Sequence, residues 1–435
     1  MRRYLIGLVV GLPALTIVAC QEQNPTAVDD RLLPAEPITI EIEIPWEDFA
    51  SNLAVYGGYG VPAEIGTGVL AKDFGGTLDA RTLVRFAGYP VVEQVRDSTG
   101  TSRPDSSLTF IGGRLVAFFD TIASTNEGPV TLGLGATQAA WDLRTVSWTN
   151  AVDTLNDERP WDEPGAGPVA DFGTTIWDPA AGDSAWFVLD SAQVASWSDT
   201  TDASQGARIE LLTPGERIQV LNVALRLDTR PSVNPDTLIV VTAAREGITF
   251  VYDPLPLPPP DGIRIGGVPA WRTILDLTLP NELNGPAELC AVVDCPISLQ
   301  PFQVNYAAIV LKSRKGEVAF TPTDTVALDL RPVLAREALP KSPLGESLIG
   351  LTGRRVGPEA FDEQAGTDIE IPLTEFARNL LGSTEDGAAP PINTLALLSI
   401  FEPVSIAFAS FHGPGDENAP VLKLIITIGR SVELP

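Results

Sequence analysis

Ile38-Thr39-Ile40-Glu41-Ile42-Glu43-Ile44 alternates apolar and polar residues without a break, the period of a strand with one buried face. Runs suited to strands recur at residues 82–86, 114–119, 185–189, 208–212, 218–227 and 237–242, separated by clusters of Gly, Pro, Asp and Asn. No long segment of 3.6-residue period lies between them. The pattern predicts an all-β chain of antiparallel sandwiches or barrels, with short helices as exceptions.

Five prolines in the eight residues Asp253-Pro254-Leu255-Pro256-Leu257-Pro258-Pro259-Pro260 cannot form a central strand and favour a stiff, extended connector. The chain after this connector repeats the pattern of the chain before it. Arg81-Thr82-Leu83-Val84-Arg85-Phe86 is echoed by Arg272-Thr273-Ile274-Leu275-Asp276-Leu277, and an apolar strand comes after each, at 114–119 and at 307–311. A strand running into about two helical turns comes later in both, at 186–197 and 369–381, and the last strand is 421–428. The expected layout is two tandem, jelly-roll-like β-sandwiches at 38–252 and 262–435, joined by a proline-rich linker at 253–261. A second echo crosses that boundary: residues 42–53 match 369–380 at eight of twelve positions. It reads as one local solution used twice, a strand and then a proline opening a short helix.

The start of the chain adds an address. Arg2 and Arg3 precede an apolar run from Tyr4 to Val18, and Ile17-Val18-Ala19-Cys20 closes it, the layout of a secretory signal at 1–20. Ile-Val-Ala-Cys resembles the lipobox of bacterial lipoproteins, which implies a mature chain beginning at a lipidated Cys20 and attached to the membrane through that lipid. The alternative is a plain secretory signal. Residues 21–37, with Pro25, Pro34 and Pro37, read as a flexible or extended tether. Gln21 follows the cysteine where an aspartate favours inner-membrane retention, so the resemblance implies the outer membrane, on its periplasmic or its external face.

The 435 residues carry a net charge of -27, or about -29 once Arg2 and Arg3 are removed with the signal. A surface of that sign repels phosphate backbones, so no nucleic-acid partner is expected. Apart from Cys20 the only cysteines are Cys290 and Cys295. Export favours a disulfide between them over free thiols, and with a single histidine in the chain they make no tetrahedral metal site.

The order of these segments resembles the DNRLRE-type domain of secreted bacterial and archaeal proteins, a β-sandwich module often appended to carbohydrate-active or surface proteins. Residues 81–86 are similar to its early strand and 113–119 to the next. Residues 141–150 are similar to its tryptophan-rich turn and strand. In the second copy, 272–277, 307–311, 369–381 and the stretch from 407–410 through 421–424 fit the same scheme, without the paired tryptophans. The resemblance implies a binding or scaffolding module, frequently linked to polysaccharides, and offers no catalytic residues.

Six of the eight tryptophans lie between Trp141 and Trp197. Tryptophan stacks on sugar faces and also fills sandwich cores. Trp161 and Trp177, set among Pro, Asp and Gly, are the candidates for exposed, ligand-binding positions. Acidic loops at 153–163, 199–202 and 416–417 offer oxygens to a structural calcium, although none has EF-hand spacing and solvated loops suit them as well; no other cofactor is implied. His412 follows Ser410 but has no nucleophile-elbow sequence beside it. The expected function is therefore a non-catalytic envelope lipoprotein that binds a glycan or another envelope protein. The alternatives are a polysaccharide-active or esterase-like hydrolase, whose paired carboxylates only folding would reveal, and a self-assembling surface protein.

Overall fold

The computed structural model describes residues 37–199, 201–291, 293–382 and 391–429. The expected signal at 1–20, with Cys20, and residues 21–36 of the expected tether lie outside them. Among the described residues most regular elements are antiparallel strands, as the alternation predicts.

In the first unit ten strands make one sheet. Its path runs Val169–Trp177, Val130–Thr137, Ala207–Leu211, Leu78–Phe86, Gly68–Phe74, Glu216–Pro231, Leu108–Asp120, Ser184–Asp190. Ile239–Thr242 adds to Glu216–Pro231, and Arg245–Asp253 to Leu78–Phe86. The two end strands of the path come together, so the twisted sheet curls into a near-barrel that shelters its edges. Alternate residues point inward, Leu115, Ala117 and Phe119 from one strand meeting Val223, Leu225 and Leu227 from its neighbour.

The second unit packs a four-stranded sheet on a seven-stranded one. The first has the order Ile38–Ile44, Val421–Ile428, Val304–Lys312, Asp368–Pro372. The second runs Arg354–Val356, Val326–Pro332, Thr394–Ser399, Ala270–Leu277, Ile263–Gly266, Phe408–Phe411, with Ala50–Tyr59 added to Ala270–Leu277. Ile44, Phe49, Leu275, Ile309, Leu397, Phe411 and Leu424 share the core between them. Cys290 and Cys295 are disulfide-bonded.

The first domain boundary is thereby corrected. Residues 38–59 belong to the second unit: Ile38 through Ile44 pair with Ile428 through Leu422, and Ala50–Tyr59 pairs with Ala270–Leu277. Alternation specifies which face of a strand is buried but not which strand lies beside it.

The internal echo finds its meaning in the same sheet. Its two strands, Ile38–Ile44 and Asp368–Pro372, form the opposite edges of the four-stranded layer, and Phe49 and Phe376 after them both enter the core. Past the phenylalanines the copies diverge. Phe376-Ala377-Arg378-Asn379-Leu380 continues the helix Thr374–Gly382, whereas Ala50-Ser51-Asn52-Leu53 is already strand. Matching residues take different forms because the first copy has an open neighbour to pair with, while Arg378 Nε caps Val304 O at 2.8 Å in the second.

The two units meet over a shared apolar layer. Val69, Leu78, Phe250 and Tyr252 of the first pack on Val268, Phe320, Ile406 and Phe408 of the second. Arg217 crosses the junction and donates to Ala319 O at 2.8 Å and Thr321 O at 2.9 Å. Its burial lowers the guanidinium pKa to about 10.

Candidate ligand-binding site

The tryptophan cluster separates into core and surface in a way its sequence neighbours do not indicate. Trp161 and Trp177, expected at the surface, are only 5% and 1% exposed. Trp161 packs with Leu83, Trp141 and Val251 under a loop and donates its indole N–H to Ser147 O at 3.0 Å. Trp177 lies with its ring centroid 4.3 Å from that of Phe119 and donates to Gly182 O at 3.0 Å. Their polar neighbours form turns that fold the indoles inward, and each N–H finds the carbonyl that burial demands. Trp141 and Trp197 are buried as well. Trp148 is half-buried, with the Arg81 guanidinium 4.9 Å from its ring centre.

The exposed member is Trp186, at 54%. It sits on Ser184–Asp190, where Ala185, Phe187 and Leu189 point into the barrel while Trp186 and Val188, the latter 74% exposed, point out. The signal was available in the sequence. Ala-Trp-Phe-Val-Leu is apolar throughout, and a strand with only one buried face must present alternate members of such a run to solvent.

Register places its neighbours. Trp186 lies opposite Val116, and Val116 opposite Ala224. In the next row Val188, Arg114, Arg226 and Thr242 stand side by side across four strands. Beyond it come Asp190, Gly112, Asp228 and Val240. The result is an outer sheet face with an exposed indole, exposed valines at 188 and 240, and exposed arginines at 114 and 226. The ladders beneath hold its backbone rigid, so the face exists before any ligand arrives. Arg114 and Arg226 were not among the sequence candidates, since a charged residue within a strand run is the ordinary outward position.

The concave places are of different character. A cleft of about 610 Å³ between the units mixes Glu64, Asp120 and Arg355 with Phe401 and Val404. A groove of about 360 Å³ is walled by Tyr56, Trp271, Pro256 and Pro258, so the proline-rich linker lines a surface besides connecting the units.

His412, Glu402 and two aspartates of the acidic loops have partners of their own. His412 Nδ1 lies 2.9 Å from Asp416 Oδ2, and among the described residues no hydroxyl or thiol is hydrogen-bonded to its ring. Burial pushes the Glu402 carboxyl up while Arg272, 2.7 Å away, draws it down; that carboxyl is shut away from solvent. In the acidic loops Asp199 and Asp202 accept from Thr201 and Ser204 and so close their own turns, which holds both carboxyls below their usual range. Among the described residues no three carboxylate, histidine or cysteine side chains converge as a metal site.

No protein-family model matches this chain, and no curated protein matches it. Among solved structures, the cryo-EM structure of Broad Bean Stain Virus is 10% identical, covering 86% of this chain and 92% of that one, with a TM-score of 0.16, a likeness too low to carry fold or function across.

Proposed function

We propose that this chain is a non-catalytic, lipid-anchored module of the bacterial envelope that binds a glycan on the outer sheet face around Trp186. The observation that carries the reading is the placement of Trp186. Of the six clustered tryptophans it is the exposed one, at 54%, on a hydrogen-bonded ladder with Val188 beside it on the same outer face. An indole in that position costs solvation without serving the core, and it suits stacking on the apolar face of a sugar ring. The lipobox-like Cys20 and the resemblance to the DNRLRE-type module support the same reading, a soluble body on a tether presenting a preformed surface to envelope polysaccharide.

The test is a glycan array and an envelope-polysaccharide pull-down with residues 21–435, with and without calcium, beside Trp186→Ala. Binding that falls in the variant while its melting temperature holds supports the proposal. Equal binding by both chains places the ligand elsewhere.

A further inference from the structure

Arg114 stands directly opposite Arg226 in the ladder between Leu108–Asp120 and Glu216–Pro231. Both are exposed, and among the described residues neither guanidinium has an ion-pair, hydrogen-bond or ring partner. Directly opposed like charges weaken an antiparallel pair. They are also conspicuous in a chain with 56 acidic residues against 29 basic ones. Many of the other arginines are answered from within: Arg208 by Glu210 at 2.9 Å, Arg272 by Glu402 at 2.7 Å, Arg264 by Glu317 at 2.9 Å. Further along the same strand Arg230 is exposed and, among the described residues, unpartnered too, with Asp228 between it and Arg226.

The opposed pair lies beside the exposed indole. Trp186 faces Val116, so Arg114, two residues before Val116, is its diagonal neighbour across the ladder, a separation that aromatic and long side chains span. Arg226 follows on the next strand. Stacking surface and two free guanidiniums thus cross three adjacent strands of one sheet.

Resting on the reading of this face as a glycan surface, we propose that its ligand is an acidic polysaccharide bearing carboxylates, whose sugar ring stacks on Trp186 while Arg114 and Arg226 hold its carboxylate groups. The planar guanidinium fork matches a carboxylate with two parallel hydrogen bonds, and such charge-assisted bonds are about twice as strong as neutral ones. The net charge of -27 repels a polyanion at long range, so selection rests on this local face and not on the field of the whole molecule. Asp190 and Asp228 in the adjoining row repel carboxylates there and leave the arginine row as the place for them.

Residues 21–435 are titrated with polygalacturonate and alginate, and with the methyl esters of both, which keep the backbone and remove the charge. The wild-type chain is expected to prefer an acidic polymer over its ester by roughly tenfold or more. Arg114→Gln with Arg226→Gln should abolish that preference while binding of the ester persists, and Trp186→Ala should weaken both. An unchanged preference in the double arginine variant, or no preference in the wild type, overturns the acidic ligand but leaves the glycan face standing. Binding of neither polymer likewise overturns the acidic ligand, and no effect of Trp186→Ala on a polymer that binds overturns both. Sedimentation velocity supplies the last arm: self-association lost in the double variant would assign the arginines to the acidic surface of a second copy and overturn the proposal.

Discussion

Glu41 and Glu370 share one ammonium group: Lys423 Nζ stands 3.1 Å from a carboxylate oxygen of each. The two glutamates sit on the opposite edge strands of the four-stranded sheet, one near the start of the described chain and one late in it. Lys423 lies on an inner strand between them, and the Tyr306 hydroxyl donates to Glu370 at 3.0 Å. The first and last strands of the described chain therefore belong to one sheet.

A truncation tests this directly. Residues 262–435 alone leave Leu422, Leu424 and Ile426 without the strand opposite them and leave Ala270–Leu277 open along the edge that Ala50–Tyr59 covers. That fragment is expected to lack a cooperative melting transition, and a covalently linked segment 38–59 is expected to restore it. A sharp transition in the bare fragment would contradict the pairing. In the full chain, Lys423→Ala should speed amide exchange in both edge strands.

Trp161→Ala and Trp177→Ala should each destabilise the chain by about 3–5 kcal/mol, the usual cost of emptying a large core site. Both indoles are buried and bonded to backbone carbonyls. Chemical denaturation measures it. A loss near zero would return these residues to the surface role their neighbours in sequence suggest.

Strand positions were legible from alternation because period 2 is a local property, and 38–44, 82–86, 185–189 and 421–428 all fall within observed strands. Partners were not legible. Nothing in Ile38–Ile44 distinguishes a place in the adjacent sandwich from one beside Val421–Ile428, since either buries the same isoleucines. The echoed segment shows the limit again, its matching residues turning helical at 377 and extended at 50. For the site, loop composition misplaced Trp161 and Trp177, whereas the doubly apolar run around Trp186 held the usable signal.

Arg217→Met is expected to loosen the junction between the units. It removes both hydrogen bonds to Ala319 O and Thr321 O, and carbonyls left unpaired in a buried place cost on the order of 2–4 kcal/mol together. Differential scanning calorimetry should show the melting transition lowered or split in two. A single unchanged transition would show that the apolar layer suffices.

Asp276 supplies the pH dependence. Arg336 donates to it, holding its carboxyl below the usual range, and Thr394 and Asn52 donate at 2.6 and 3.2 Å. The native state binds this proton less readily than the unfolded chain, so the stabilisation is present above the ordinary Asp value of about 3.9 and is lost as pH falls through the lowered one. Asp276→Asn should cost on the order of 1–3 kcal/mol at pH 7. That deficit should shrink on acidification below about pH 4. A deficit constant with pH would contradict the assignment.

The most direct measurement of the central claim is the tryptophan emission of residues 21–435 during titration with an envelope polysaccharide that the chain retains in a pull-down. Trp186 is the strongly exposed indole of its cluster, so a sugar ring stacked on it should move the emission to shorter wavelength at saturation, and Trp186→Ala should bind more weakly and show no shift. An identical shift in the variant, or binding by the wild type without any change in emission, would contradict the account.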